Sequence, residues 1–132
     1  MFIEHVSVDP AEAPQWALAT PAIDHVAEFG LALTHPVTLI TGGNGVGKST
    51  LLEGIARSWG FDVEGGTWGV DRPGAHDPLY GALRLRTGQR AKAGYFLRGE
   101  THTRVTEFGV RSHGESVMEL TSRFIPDALY LL

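Results

Sequence analysis

Apolar and polar positions alternate loosely from Phe2 to Val8, which predicts a short strand. Pro10, Pro14 and Pro21 then interrupt any helical pattern, so the chain from Asp9 to Ala22 is expected to be extended or irregular. Phe29, Leu31 and Leu33 alternate with smaller or polar neighbours and predict a second, half-buried strand. After His35-Pro36, the β-branched run Val37-Thr38-Leu39-Ile40 is too short for a helix and predicts a fully buried strand of a parallel sheet. A glycine-rich turn follows. From Ser49 to Trp59, Leu51, Leu52, Ile55 and Trp59 fall on one helical stripe, and Gly60 is placed to end that helix. Glycine, proline and aspartate dominate from Phe61 to Pro78 and predict a long surface excursion. Leu83 and Leu85 alternate with Arg84 and Arg86, the pattern of a strand with one wet face. Tyr95-Phe96-Leu97 reads as another strand after the turn Thr87-Gly88-Gln89. A further loop runs to about Ser112. Val117, Leu120 and Phe124 mark a helix, favoured at its start by Glu115 and Glu119 and stopped by Pro126-Asp127. Ala128 to Leu132 is a last apolar run of strand length. Alternating strands and helices of this kind predict an α/β fold with a mostly parallel sheet.

The 132 residues are enough for one domain, spanning 1–132, with one core. A hydrophobic share of 42% with a formal charge of −4 argues against wholesale disorder. Glycine is unusual: 17 residues is nearly twice the usual ~7%, and without a collagen period they must serve turns and close backbone approaches. The absence of cysteine excludes a disulfide framework, a zinc ribbon and a thiol nucleophile. No apolar run reaches the ~18 residues of a membrane span, and Met1 to Pro10 has no basic region of a secretory signal. A cytoplasmic protein is the expectation.

Chemistry concentrates in Gly42-Gly43-Asn44-Gly45-Val46-Gly47-Lys48-Ser49-Thr50. This segment satisfies G-x-x-x-x-G-K-[ST] and lies between a predicted buried strand and a predicted amphipathic helix, the context that a phosphate-binding P-loop requires. Glycines let consecutive backbone N–H groups turn onto an anion where a Cβ would block the approach. The positive end of the helix adds a favourable field. Lys48 supplies a mobile charge for the β- and γ-phosphates of ATP, the Ser49 hydroxyl is placed to ligate Mg²⁺, and Thr50 can bond an α-phosphate oxygen. Kinases, motor ATPases and transporters all use such a loop, so it does not name the reaction.

A second helix start, Ser112-His113-Gly114-Glu115-Ser116, offers an N-cap serine and a glycine for backbone approach. Together with GGNGVGKSTLLEGIA, it makes the chain from Val37 to Leu132 resemble ABC-type P-loop ATPases, specifically the small transporter-free "predicted ATPase" (AAA family ATPase) group. In that group SHGES stands where transporters have LSGGQ. The resemblance implies that Ser112 and Gly114 bind the γ-phosphate of ATP held on the Gly42–Thr50 loop of a second protomer, in a head-to-tail homodimer. His113 lies inside that turn, either touching phosphate or as a plain polar turn residue.

The resemblance also implies an Asp-Glu pair after a buried apolar strand, the aspartate holding the Mg²⁺ shell and the glutamate activating water. Ala128 to Leu132 corresponds to that strand. The expectation is therefore an incomplete C-terminal part: a fragment of a longer ATPase, a site completed by a second chain, or a short nucleotide-responsive dimerisation module that does not hydrolyse. No catalytic residue is identifiable. The family's water-positioning glutamine is missing too, with Arg98 or Glu100 in its neighbourhood. A small-molecule kinase fits less well, because it would carry no SHGES-like turn.

Arg84, Arg86, Arg90, Lys92 and Arg98 lie in an acid-free stretch, either a phosphate patch for nucleic acid or for nucleotide in trans, or a solvated strand edge and loop. The net negative charge does not favour a dedicated DNA binder. The six histidines lack metal-ligand spacing. Trp16 and Phe29 are candidates to stack on adenine, but core or surface packing is the better reading of either.

Overall fold

The computed structural model describes residues 1–69, 79–98 and 124–132. In chain order the elements are β1 (Ile3–Val8), α1 (Gln15–Leu18), α2 (Pro21–Phe29), β2 (Leu31–Ala32), α3 (Lys48–Trp59), β3 (Gly66–Thr67), β4 (Leu83–Thr87), β5 (Ala93–Phe96) and β6 (Ala128–Leu131). They form two three-stranded sheets, ordered β2-β1-β4 and β3-β5-β6.

In the first sheet β1 pairs antiparallel with both neighbours. Ile3 faces Thr87 but His5 faces Arg86, so the register slips by one residue across Glu4. That slip lets Ile3 and Val6, three residues apart, point into the same core with Val8. Opposite them Leu83 and Leu85 face inward while Arg84 and Arg86 face out, as their alternation predicts. In the second sheet β5 pairs antiparallel with β3 and parallel with β6. α3 joins the sheets. Leu51 and Ile55 belong to the core under β1, Ala56 packs with Phe61 and Phe96, and Trp59, Leu129 and Leu131 border both clusters.

Several expectations need correction. The sheet is not mostly parallel: among the described residues β5–β6 is the one parallel pair. Pro14 and Pro21 do not leave the chain irregular but start helices. Pro14 caps α1, and Pro21 takes the first position of α2, where its missing N–H costs nothing. Phe29 closes α2 rather than opening a strand, and Gly30 caps that helix through its N–H to the Val26 carbonyl. The surface excursion starts later than Phe61, because Phe61 and Asp62 are buried and Gly66–Thr67 pairs with β5.

Val37–Ile40 is neither a strand nor buried. Val37 is 77% and Leu39 83% exposed. The chain bends through His35, Pro36 and Val37, Pro36 brings no ladder donor, and no described strand pairs with the run. Beside it lies a groove of about 510 Å³ lined by Leu33, Ile40, Ile55, Leu129 and Leu131. Ala128–Leu131 does form the expected strand. The expected helix from Val117 falls outside the described residues apart from Phe124, whose ring stacks on Tyr130 at 3.8 Å.

Candidate functional site

The glycine loop leads straight into α3. Gly47, at φ +93°, is the residue before the first helical turn, and the Leu51 N–H bonds back to its carbonyl at 2.9 Å. Such a backbone suits glycine alone among common residues. A Cβ at Gly47 would also lie 3.0 Å from Thr20 Oγ1 and 3.1 Å from Thr20 Cβ. The loop thus rests on the start of α2. There the Ala22 N–H donates to the Val46 carbonyl at 2.9 Å, and the Thr20 hydroxyl donates to the Ala17 carbonyl at 2.6 Å. Sequence reasoning missed Thr20 and Ala22 as supports, although Thr20-Pro21 is a recognisable helix-start pair.

The loop's own polar groups are open. Among the described residues, no protein acceptor takes the amides of Gly43, Asn44, Gly45, Val46, Gly47, Lys48, Ser49 and Thr50. Among the described residues no side chain caps α3, and its first turn carries no acid. Gly45 turns at φ +79°, and a Cβ built on it or on Gly43 meets nothing within 4 Å. Lys48 Nζ donates to the Gly42 carbonyl at 2.9 Å and to the Gly43 carbonyl at 2.7 Å. An ammonium has three donors, so one remains for a ligand. The Ser49 hydroxyl is exposed and has no protein partner among the described residues. Open amides, a positive helix end and a positioned ammonium together present donors and positive charge suited to an anion.

Ser112, His113, Gly114, Glu115 and Ser116 lie outside the described residues, as does Glu100. Arg98 is described and is held by Glu53 of α3 at 3.0 Å and by the Val63 carbonyl at 3.3 Å. Most basic side chains of the stretch have protein partners of their own. Arg86 pairs with Glu4 at 3.5 Å, Lys92 with Asp127 at 2.8 Å and Arg98 with Glu53, while Arg84 bonds the carbonyls of Gly81 and Leu83. The Lys92 ammonium is held above its ordinary pKa by the hydrogen bond to Asp127 and by that carboxylate's charge. Burial alone raises the Tyr95 phenol. Trp16 is half exposed, and the Phe29 ring lies 5.0 Å from that of His25. Among the described residues no cluster of three His, Asp or Glu side chains is placed to hold a metal ion, and no helix is long and apolar enough to cross a membrane.

No curated protein and no solved structure matches this chain. The AAA domain family matches residues 24–63, the stretch holding most of α2, β2, the glycine loop and all of α3. That match suggests an AAA-like P-loop ATPase family, and with it nucleotide binding and ATPase-type chemistry.

Proposed function

We propose that this chain is the Mg-ATP-binding domain of an ABC-type ATPase, with Gly42 to Thr50 as its triphosphate receptor. One observation carries the reading: eight consecutive amides, Gly43 to Thr50, have no protein acceptor among the described residues and open at an acid-free helix start. A triphosphate tail supplies the acceptors that those donors lack. Lys48 exchanges its bonds to the Gly42 and Gly43 carbonyls for the β- and γ-phosphates, so its ammonium keeps partners in both states. Thr50 serves the α-phosphate. The exposed Ser49 hydroxyl fits a hard cation that prefers oxygen ligands, and would hold Mg²⁺ together with phosphate and water oxygens. When bound, the ion neutralises phosphate charge and polarises the phosphoryl oxygens.

In the complete family member, hydrolysis follows head-to-tail pairing of two protomers. Ser112, His113, Gly114, Glu115 and Ser116 then meet the γ-phosphate on the partner's loop. Calorimetric titration with Mg-ATP tests the receptor. The intact chain takes up one equivalent, and Lys48→Ala lowers affinity at least tenfold while circular dichroism stays unchanged. Equal uptake by that variant would refute the assignment. Sedimentation with and without Mg-ATP tests the pairing, and a monomer under both conditions counts against it.

A further inference from the structure

A second cavity, of about 630 Å³, lies at the other end of α3. Eleven helical steps separate Lys48 from Trp59, about 16 Å along the axis, so this cavity is separate from the glycine loop. Its walls include Ser58, Trp59, Trp68, Tyr80, Arg84 and Arg90. The volume falls within the range of ~300–1,000 Å³ typical of small-ligand sites.

Two features define what it would take. First, the aromatic walls are accessible. Trp68 is 38% and Tyr80 53% exposed. The Trp59 and Trp68 rings stand 6.2 Å apart and tilted, while the Arg57 guanidinium lies 5.5 Å over the Tyr80 ring. Second, among the described residues the lining includes two cations and no acid. Of the basic side chains from Arg84 to Arg98, three have carboxylate partners; among the described residues Arg84 and Arg90, the two in this cavity, do not.

A bare inorganic anion would answer the arginines and leave the ring faces wet. An uncharged aromatic would cover the rings and leave the guanidiniums unanswered. A flat heterocycle with an attached phosphate meets both demands. We propose that this cleft binds a nucleotide unit, with its base against Trp68 and Tyr80 and its phosphate between Arg84 and Arg90. Free nucleotide and single-stranded nucleic acid both offer that chemistry.

The test uses the full chain carrying Lys48→Ala, so that the glycine loop does not contribute and failure of one site leaves the other unaffected. Thymidine monophosphate is titrated against tryptophan fluorescence, and a labelled oligothymidylate is followed by anisotropy. The expected result is quenching by the monophosphate, anisotropy gain with the oligomer, or both. The double variant Arg84→Gln/Arg90→Gln, at exposed positions, weakens binding at least tenfold. For the oligomer it also lowers the slope of log affinity against log salt by about 1.4, the share of two phosphate contacts on a single strand. Trp68→Ala weakens binding by a similar factor. Comparable affinity for both probes identifies free nucleotide as the ligand, whereas binding of the oligomer alone identifies single-stranded nucleic acid. Absence of both signals at millimolar monophosphate, or affinity unchanged in the arginine double variant with its circular dichroism preserved, overturns the proposal.

Discussion

Replacing Gly47 by alanine separates two costs that meet at the base of the glycine loop. The first is conformational: at φ +93° an L side chain costs about 1–2 kcal/mol. The second is steric. The new Cβ would sit 3.0 Å from Thr20 Oγ1 and 3.1 Å from Thr20 Cβ. Thr20 cannot simply retreat, because it is the N-cap of α2 and its hydroxyl bonds the Ala17 carbonyl at 2.6 Å. Displacing it adds about 1 kcal/mol, the low end of overpacking costs. Gly45→Ala is the control, since Gly45 also has positive φ, +79°, but a Cβ there meets nothing within 4 Å. Gly47→Ala should therefore lose about 2–3 kcal/mol and Gly45→Ala about 1–2 kcal/mol. With a urea m-value of about 2 kcal/mol/M, their midpoints differ by about 0.5 M. Urea unfolding followed by circular dichroism, without nucleotide, measures both. Equal midpoints for the two variants would show that the loop does not rest on Thr20, and the account of its support would fail.

The remaining tests address the second sheet and its alkaline limit. Gly94→Ala places a methyl carbon 2.7 Å from Phe61 Cζ and 3.0 Å from the Leu129 carbonyl oxygen, both hemmed in by packing or pairing. A loss of about 1–3 kcal/mol is expected as a lower melting temperature, and an unchanged melt would contradict the packing described. Tyr95 has a folded-state pKa raised by burial above its ordinary 10.0, so the unfolded chain loses that proton first. Stability is complete below pH 10 and falls as pH rises from there through the raised folded value. Lys92, raised above 10.5 by Asp127, loses its contribution in the same direction. Tyr95→Phe should flatten the fall measured by urea titration above pH 10, with Lys92→Gln flattening it further. An equally steep fall in the double variant would refute the assignment.

What the sequence revealed was mostly local. The strand at β1, the alternation in β4 and the stripe of Leu51, Leu52, Ile55 and Trp59 on α3 can be read within a few residues, and the structure places them as read, apart from the slip that breaks β1's alternation at Glu4. The glycine loop is legible for the same reason: Gly42 to Thr50 carry their conformation and donors in one continuous stretch. Long-range partners decided the rest. A β-branched run such as Val37–Ile40 becomes a buried strand only where neighbours pair with it, and composition does not report neighbours. Phe61 looked like the start of a loop because glycine and proline surround it, yet Phe96 and Ala56 bury it. Thr20 supports Gly47 from 27 positions away, a contact no spacing rule anticipates.

The stranded run at Val37–Ile40 also bears on how the protein behaves in bulk. Two large aliphatic groups project into water there, and β6 presents a free edge beside the same groove among the described residues. Open backbone groups next to greasy side chains form a template on which another molecule's strand can add. The net charge of −4 opposes that encounter at low ionic strength, and salt screens the repulsion. Solubility should therefore fall as salt is raised, with this seam as the point where molecules first stick.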